Sequence, residues 1–175
     1  MFAEIAFVSV SLLLIWAVVI YNRLVADRNR VLAAWSDIDV QLKRRHDLVP
    51  KLVEAVRQYA GYESATLQAI TGLRGQQASL TRVAEVSATE TRLGNDLRQL
   101  LAVAEAYPDL KANQSYLDLQ KNLTDTENQI QFARRYYNGA VRNLNIRIDS
   151  FPDMLVARLF RFMPASFFDF DDVPG

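Results

Sequence analysis

An uncharged apolar stretch near the N-terminus, from Ile5 to Tyr21, constrains this chain more than any other feature. As a helix, its 17 residues rise about 25 Å, at the short end of what crosses the hydrocarbon core of a bilayer. Trp16 and Tyr21 lie towards its C-terminal end, where aromatic rings favour the membrane interface. The stretch therefore predicts a transmembrane anchor over residues 1–21, with membrane lipid as its partner. The anchor residues are predicted to be Ile5, Phe7, Leu12, Leu13, Leu14, Trp16 and Tyr21.

The charges that flank this stretch predict its orientation. No basic residue precedes it, whereas Arg23, Arg28 and Arg30 follow it closely. Because positive flanks are retained in the cytoplasm, we expect a single pass with the N-terminus outside and the remaining chain in the cytoplasm. A cleaved signal peptide is the rival interpretation, but it requires a basic start and small residues at the cleavage site. The start carries the acidic Glu4 instead of a basic residue, and Tyr-Asn-Arg-Leu follows the apolar stretch instead of small residues. Both features favour a retained anchor.

A seven-residue repeat of apolar residues starts at Tyr21 and continues to Tyr59. Ten of its twelve a and d positions are apolar or aromatic, the exceptions being Arg28 and Arg45. This repeat predicts a coiled-coil-like seam on a helix that continues out of the membrane. Pro50 lacks the N–H for one helical hydrogen bond, so we expect an interruption with a kink there. The predicted seam residues are Leu24, Val31, Trp35, Ile38, Leu42, Val49 and Leu52.

The rest of the chain also has helical periodicity, and no run of residues alternates as a strand would. The first helix is expected to continue to about Gln76. The small and polar stretch from Ala78 to Thr91 predicts a turn region, and a further helix follows up to Pro108. A last long helix is predicted within residues 109–149, with a seam at Tyr116, Leu119, Leu123, Thr126, Ile130, Ala133, Tyr137, Ala140 and Leu144.

These patterns together predict an all-α fold. A transmembrane helix would continue into an elongated antiparallel bundle of three to four helices over residues 22–150. Residues 151–175 form a different kind of segment, because apolar and aromatic side chains dominate it and its bases are Arg158 and Arg161. Such a tail is poorly solvated. Three contacts remain open for the tail: its own bundle, a neighbouring subunit or partner, and the membrane surface.

The side chains of the tail that we predict to contact a partner or a second subunit are all large and apolar. They are Leu159, Phe160, Phe162, Phe167, Phe168 and Phe170.

The residues that carry enzyme chemistry are scarce. The chain has no cysteine, which excludes disulfides and thiolate chemistry, and its single histidine, His46, cannot form a His-rich metal site. No nucleotide-binding, metal-binding or nucleophile motif is present. The formal net charge of zero argues against nucleic acid as a partner. The sequence therefore predicts no enzyme activity, no cofactor, no metal site and no catalytic residue.

One polar group on the last helix is unusual. Glu127, Arg134 and Asn138 are spaced by seven and four residues, so they lie near one face of a helix. We interpret them as a buried hydrogen-bonded network that fixes the register of neighbouring helices. A binding site for a polar ligand is the functional alternative.

Several longer motifs resemble the LemA family. They are AWSDIDVQLKRR at residues 34–45, DLVPKLVE at 47–54, YPDLKAN at 107–113 and TEN at 126–128, and the similarity covers essentially the whole chain. Lys51 stands where asparagine is usual in that family. The resemblance implies a single N-terminal transmembrane helix and a cytoplasmic helical bundle in a bacterial inner membrane. It implies no established enzyme activity, and a magnetosome-associated relative suggests a role in membrane organisation.

Two functional hypotheses follow. The first is a non-enzymatic membrane scaffold that self-associates into a homo-oligomer through its long helices and aromatic tail, and that organises or shapes the membrane. The second is a monomeric adaptor whose bundle groove holds a membrane-protein partner, such as a protease or an envelope-stress component.

Overall fold

The computed structural model describes residues 1–60 and 83–168, and in these ranges all regular elements are helices. They are α1 (Phe2–Ala60), α2 (Val83–Ala104), α3 (Pro108–Lys111), α4 (Gln114–Asp149) and α5 (Asp153–Leu159). The all-α prediction is confirmed. The predicted continuation of the first helix to Gln76, the first part of the predicted turn region, and Phe170 lie outside the described residues.

Helix α1 carries the predicted anchor and the predicted seam on one continuous element. Among the helices of the described residues, α1 alone has the length and apolar composition needed to cross a membrane. Its most apolar window is 6% buried, whereas the core helix of a soluble protein would be mostly buried. Burial begins abruptly at Ile20 and Leu24. The exposed apolar part of α1 is therefore a candidate membrane span.

The predicted interruption at Pro50 does not end α1, which continues to Ala60. Pro50 removes one backbone hydrogen bond from the helix. Val49, Leu52 and Val53 on either side of it are buried. Burial of these apolar side chains offsets the lost hydrogen bond.

The buried face of α1 departs from a strict seven-residue repeat. The predicted seam residues Leu24, Val31 and Ile38 are buried, and so are those from Leu42 onwards. However, Asp27 and Ala34 are buried in place of Arg28 and Trp35, which are exposed and half-buried respectively. The buried positions are Ile20, Leu24, Asp27, Val31, Ala34, Ile38, Leu42, Arg45, Val49, Leu52, Val53 and Val56.

The departure has a geometric cause. Apart from Val53, the buried positions of α1 alternate between steps of four and three, except for two successive steps of four from Ala34 to Leu42. Helix α4 has the same feature at Thr126, Ile130 and Arg134. The average step from Ile20 to Val56 is 3.6 residues, which is the period of a straight helix, whereas a strict repeat has 3.5. For the same reason Arg134 and Val141 are buried where Ala133 and Ala140 were predicted.

Helix α2 starts earlier than predicted. Residues 83–91 were expected to form a turn because they are small and polar, but they are helical. Val86, Ser87 and Glu90 are buried, and Val86 and Glu90 continue the spacing of Leu93 and Leu97. The prediction was wrong because Glu90 is part of a buried ion pair, so its polarity does not mark an exposed turn.

The helices pack into two compact units. Residues 1–36 and 135–166 form the first unit, in which contacts of residue 27 with 147 and of 35 with 137 make α1 and α4 antiparallel. Residues 37–134 with residues 167 and 168 belong to the second unit. Its apolar core is built from α1, α2, α3 and α4 and includes Leu52, Leu100, Leu110 and Leu123. The sequence-based boundaries at residues 21 and 150 stay a prediction.

The shifted register of α1 predicts that leucine substitutions at two neighbouring alanines have unequal effects on stability. Ala34→Leu places a larger side chain on the buried face and should lower the free energy of unfolding by about 1–3 kcal/mol. Ala33→Leu, at an exposed position, should change it by less than about 0.5 kcal/mol. Denaturant unfolding of the full-length protein in detergent, followed by circular dichroism, measures both. Equal effects would contradict the observed register.

Candidate functional site

A cluster of buried charges lies inside the second unit. The Arg45 guanidinium forms an ion pair through Nη2 with Oε2 of Glu90, and its Nη1 donates to Oε2 of Glu127 at 2.8 Å. The Nη2 also donates to the backbone carbonyl of Glu90 at 3.2 Å. His46 completes the group, since its Nε2 lies 2.9 Å from Oε1 of Glu90. Side chains of α1, α2 and α4 therefore meet in one polar cluster.

Burial and the neighbouring carboxylates act on the Arg45 guanidinium in opposite directions. Removal from water lowers its pKa, and the charge of Glu127 and its hydrogen bond raise the pKa again. Arg134 is also buried, and its pKa is lowered by burial while Glu127 acts against that shift. Because arginine stays protonated in proteins, both cations require the nearby carboxylates for compensation.

Two members of the predicted polar network, Glu127 and Arg134, lie in this unit, and the network of three stays a prediction. Glu127 and Arg134 interact electrostatically, as the sequence suggested. Asn138 lies in the first unit and is half-buried. Arg45 and Glu90, the most buried members of the cluster, were not predicted from the sequence. Arg45 had a visible signal, because it occupied a d position of the apolar repeat.

A cavity of about 340 Å³ borders the charge cluster in the second unit. Arg45, Gly94, Leu97, Arg98 and Glu127 are among the residues that line it. A Cβ added at Gly94 would meet the Nη1 of Arg45 at 3.8 Å, which is ordinary van der Waals contact. Among the described residues, the Nε of Arg45 has no hydrogen-bond partner. The lining carries two arginines, Arg45 and Arg98, and one carboxylate, Glu127, which is hydrogen-bonded to Arg45.

A wider groove of about 540 Å³ lies on the second unit between α1, α3 and α4. Its lining includes Pro50, Lys51, Tyr59, Leu110 and Tyr116. Asn113 donates through its side-chain amide to the Tyr59 hydroxyl at 3.3 Å. Burial and the charge of Glu105 raise the pKa of Tyr116, so its hydroxyl remains protonated at neutral pH. The groove combines apolar walls with a few polar groups.

The first unit has a charge cluster of its own. Asp27 is buried on α1 and accepts hydrogen bonds from Arg30 at 2.6 Å and from Nε of Arg147 on α4. Arg147 also reaches Asp153 at the start of α5, at 3.3 Å. This cluster links three helices of the unit, and the sequence analysis did not identify it.

The aromatic tail folds onto its own chain in the described residues. Within the first unit, the rings of Phe160 and Phe162 lie 4.8 Å and 5.8 Å from the ring of Tyr21. Asn145 exchanges two hydrogen bonds of 2.9 Å with the backbone of Ala165. The Tyr137 hydroxyl donates to the carbonyl oxygen of Ser166 at 2.9 Å.

The last described tail residues pack in the second unit. Phe168 is fully buried, and the Arg134 guanidinium lies 4.6 Å from its ring centroid. Leu159, Phe160 and Phe167 are exposed and Phe162 is half-buried. The structure therefore gives Phe168 an intramolecular contact. Partner contact by the predicted tail residues stays a prediction.

The described residues contain no candidate metal site. Within residues 1–60 and 83–168, no group of three or more histidine, aspartate or glutamate side chains is arranged to hold a metal ion.

Two comparisons with known proteins point to the same family. The sequence pattern of the LemA family matches residues 34–174. Protein LemA of Metamycoplasma hominis is 31% identical over 139 residues, covering 78% of this chain and 63% of that protein. Magnetosome protein MamQ 2 of Paramagnetospirillum magneticum is 23% identical over 174 residues, covering 85% of this chain and 64% of that protein. This chain thus covers less than two thirds of the length of these relatives, and neither name designates an enzyme.

The buried charge cluster predicts a strong difference between two adjacent arginines. Arg45→Met should lower the free energy of unfolding by about 3–5 kcal/mol, because it leaves Glu90 buried without its cation. Arg44→Met, at an exposed position, should change it by less than about 0.5 kcal/mol. Adding Glu90→Gln to Arg45→Met should recover part of the loss. Denaturant titration of the wild type, the double variant and the single variants Arg44→Met, Arg45→Met and Glu90→Gln measures this, and strictly additive losses would contradict the pairing.

The tail offers a second matched pair. Phe168→Ala removes a fully buried ring and should lower the free energy of unfolding by about 3–5 kcal/mol. Phe167→Ala, at an exposed position, should cost less than about 1 kcal/mol. Thermal unfolding of the full-length proteins in detergent distinguishes them. Similar losses would mean that the tail does not pack as described.

Proposed function

The chain belongs to the LemA family, and from that premise we propose that it is a non-enzymatic, membrane-anchored scaffold that self-associates. The proposal includes a single pass of α1 through a bacterial inner membrane, with the N-terminus outside and the two packed units in the cytoplasm. The observation that carries it is the continuity of α1, in which an exposed apolar segment leads directly into the packed part of the chain.

The charged clusters support a structural role for the packed units. Arg45 is engaged by Glu90 and Glu127, and Arg147 by Asp27 and Asp153. Polar groups paired in this way hold helices in a defined arrangement. The relatives named as magnetosome proteins favour a role in membrane organisation.

Self-association is supported by tethering and by exposed apolar surface. Val40 on α1 and Leu117 and Phe132 on α4 are exposed in the second unit. Copies held in one membrane have a high effective concentration, so weak contacts between their outer faces suffice for assembly.

The particle mass of the full-length protein in lipid nanodiscs or mild detergent tests the scaffold. We expect a discrete oligomer, measured by mass photometry. Phe132→Glu and Val40→Glu should each shift the population towards monomer by about tenfold or more, because they place a charge in an apolar contact. Gln129→Glu adds the same charge at an exposed polar position of α4 and should leave the mass unchanged. A wild-type monomer would refute self-association.

Point variants are better probes here than removal of the tail. Deletion from Phe151 onwards is expected to weaken assembly if the tail takes part in it. The same deletion also removes Phe168 from the core of the second unit and the backbone partners of Asn145. A smaller particle after that deletion would therefore not separate assembly from folding.

A monomeric adaptor is the second candidate, favoured by the groove beside Tyr59 and Tyr116. Its partner would be a membrane protein, such as a protease or an envelope-stress component. A photo-crosslinking residue at Tyr59, at the edge of the groove, discriminates the two functions in native membranes. Adducts with another protein and none between copies would favour the adaptor, and the reverse would favour the scaffold.

A further inference from the structure

The end of the first unit nearest the candidate span has an exposed apolar surface. Phe151, Leu155, Leu159, Phe160 and Met163 are between 50% and 77% exposed, and we call these five residues the interfacial patch. Val156 and Ala157, on the other face of α5, are buried. A short surface helix in water normally exposes polar side chains opposite its buried face. Here apolar side chains take that place, so water is a poor environment for this surface.

Two ring contacts fix the position of the patch along α1. Phe160 and Phe162 pack edge-on against Tyr21, the last residue of the uncharged stretch. Residues of α1 before Ile20 are largely exposed, and Ile20 and Leu24 are buried. The patch therefore lies at the level where α1 passes from bare helix to packed helix. If α1 crosses a bilayer, that level is the membrane interface.

The charges around the patch suit one kind of membrane. Arg158 and Arg161 are exposed beside it, and Arg23 is exposed two residues after Tyr21. Asp27 and Asp153 of the same unit are engaged by Arg147, which leaves Asp149 as the exposed acid nearest α5 among the residues that the structure describes. Basic side chains next to apolar ones are typical of surfaces that bind anionic lipids.

We propose that the interfacial patch enters the headgroup and upper acyl region of an anionic bilayer, in the leaflet from which α1 emerges. This proposal rests on the membrane span of the proposed function. The patch is then a second contact with lipid, made by residues about 130 positions after the span along the chain. It fixes the unit against the membrane, where α1 alone would leave it free to rotate about the helix axis.

The backbone at Arg161 supports a lipid contact for its side chain. Arg161 has a φ of 55°, in the left-handed region that favours glycine. Its N–H bonds to the Arg158 carbonyl at 3.2 Å, and the Phe162 N–H bonds to the Ala157 carbonyl at 2.9 Å, so α5 ends in a Schellman motif. Glycine would end this helix with less strain. The fold of the unit therefore does not explain why an arginine stands at this position.

A depth measurement on the full-length protein tests the proposal. The chain has no cysteine, so single cysteines at Leu13, Leu159 and Tyr136 can each carry an environment-sensitive dye. Tyr136 is exposed and precedes Ser150 by 14 residues, which is about 21 Å along α4 away from the span. The proteins are placed in nanodiscs of phosphatidylcholine and phosphatidylglycerol that contain lipids with a quenching group.

We expect lipid quenching at Leu13 and Leu159 at least about threefold stronger than at Tyr136, as expected for sites in and out of the bilayer. Absence of quenching at Leu13 would refute the membrane span and the proposed function with it. Quenching at Leu13 without quenching at Leu159 would overturn the interfacial patch alone. In that case, a dye at Leu159 that also avoids water would mean that a protein covers the patch.

Two arginine variants test the lipid charge. Arg161→Gly and Arg158→Gln together should reduce quenching of the Leu159 dye by about half or more in anionic nanodiscs. They should have no effect in nanodiscs of phosphatidylcholine alone, and Arg161→Gly should not lower the melting temperature. Arg142→Gln serves as the matched control, because Arg142 is exposed on α4 outside the interfacial patch. Unchanged quenching in anionic nanodiscs would overturn the recognition of anionic lipid.

Discussion

The structure depends on the continuity of one helix, because α1 carries the candidate membrane span and also packs in both units. A backbone in lipid must make its hydrogen bonds within the helix, so a span through a membrane requires an unbroken α1. Its apolar side chains are distributed all round the helix up to Val19, and from Ile20 onwards most of them lie on one face, with Leu32 and Val40 among the exceptions. This change from a uniform to a mostly one-sided pattern, on a helix that is continuous to Ala60, marks where the other helices begin to pack.

The two packed units join their helices by different means besides apolar contact. In the first unit, Asp27 is the central group, and arginines from α1 and α4 converge on it. In the second unit, Arg45 is central, and carboxylates from α2 and α4 converge on it. Each central charge is buried on the seam of α1. Because an unpaired charge there is costly, each cluster disfavours any other register of the helices it joins.

The sequence was sufficient for the parts of the fold that follow from composition and periodicity. The uncharged stretch, the all-α class and most of the seam of α1 could be predicted, because apolar burial repeats at a regular spacing. The strict repeat failed at Asp27 and Ala34, since a fixed period of 3.5 residues cannot follow a helix whose buried face advances by 3.6.

The charged contacts were harder to predict for a different reason. Glu90 pairs with a residue 45 positions away and Asp27 with one 120 positions away. A single sequence contains no signal for which residues form such pairs, so Glu90 was taken as part of a turn and Asp27 was not recognised as buried. The return of Phe168 onto Arg134 is of the same kind.

The arrangement of the two units also has a consequence for biogenesis. Neither unit is built from one continuous segment, since the first requires residues 135–166 and the second requires Phe168 in its core. During synthesis the apolar stretch leaves the ribosome long before these later residues exist. If that stretch is a membrane span, its insertion precedes folding, and the units close on a chain that is already tethered. Partly made chains would then expose the unpaired seam of α1 until the later residues arrive.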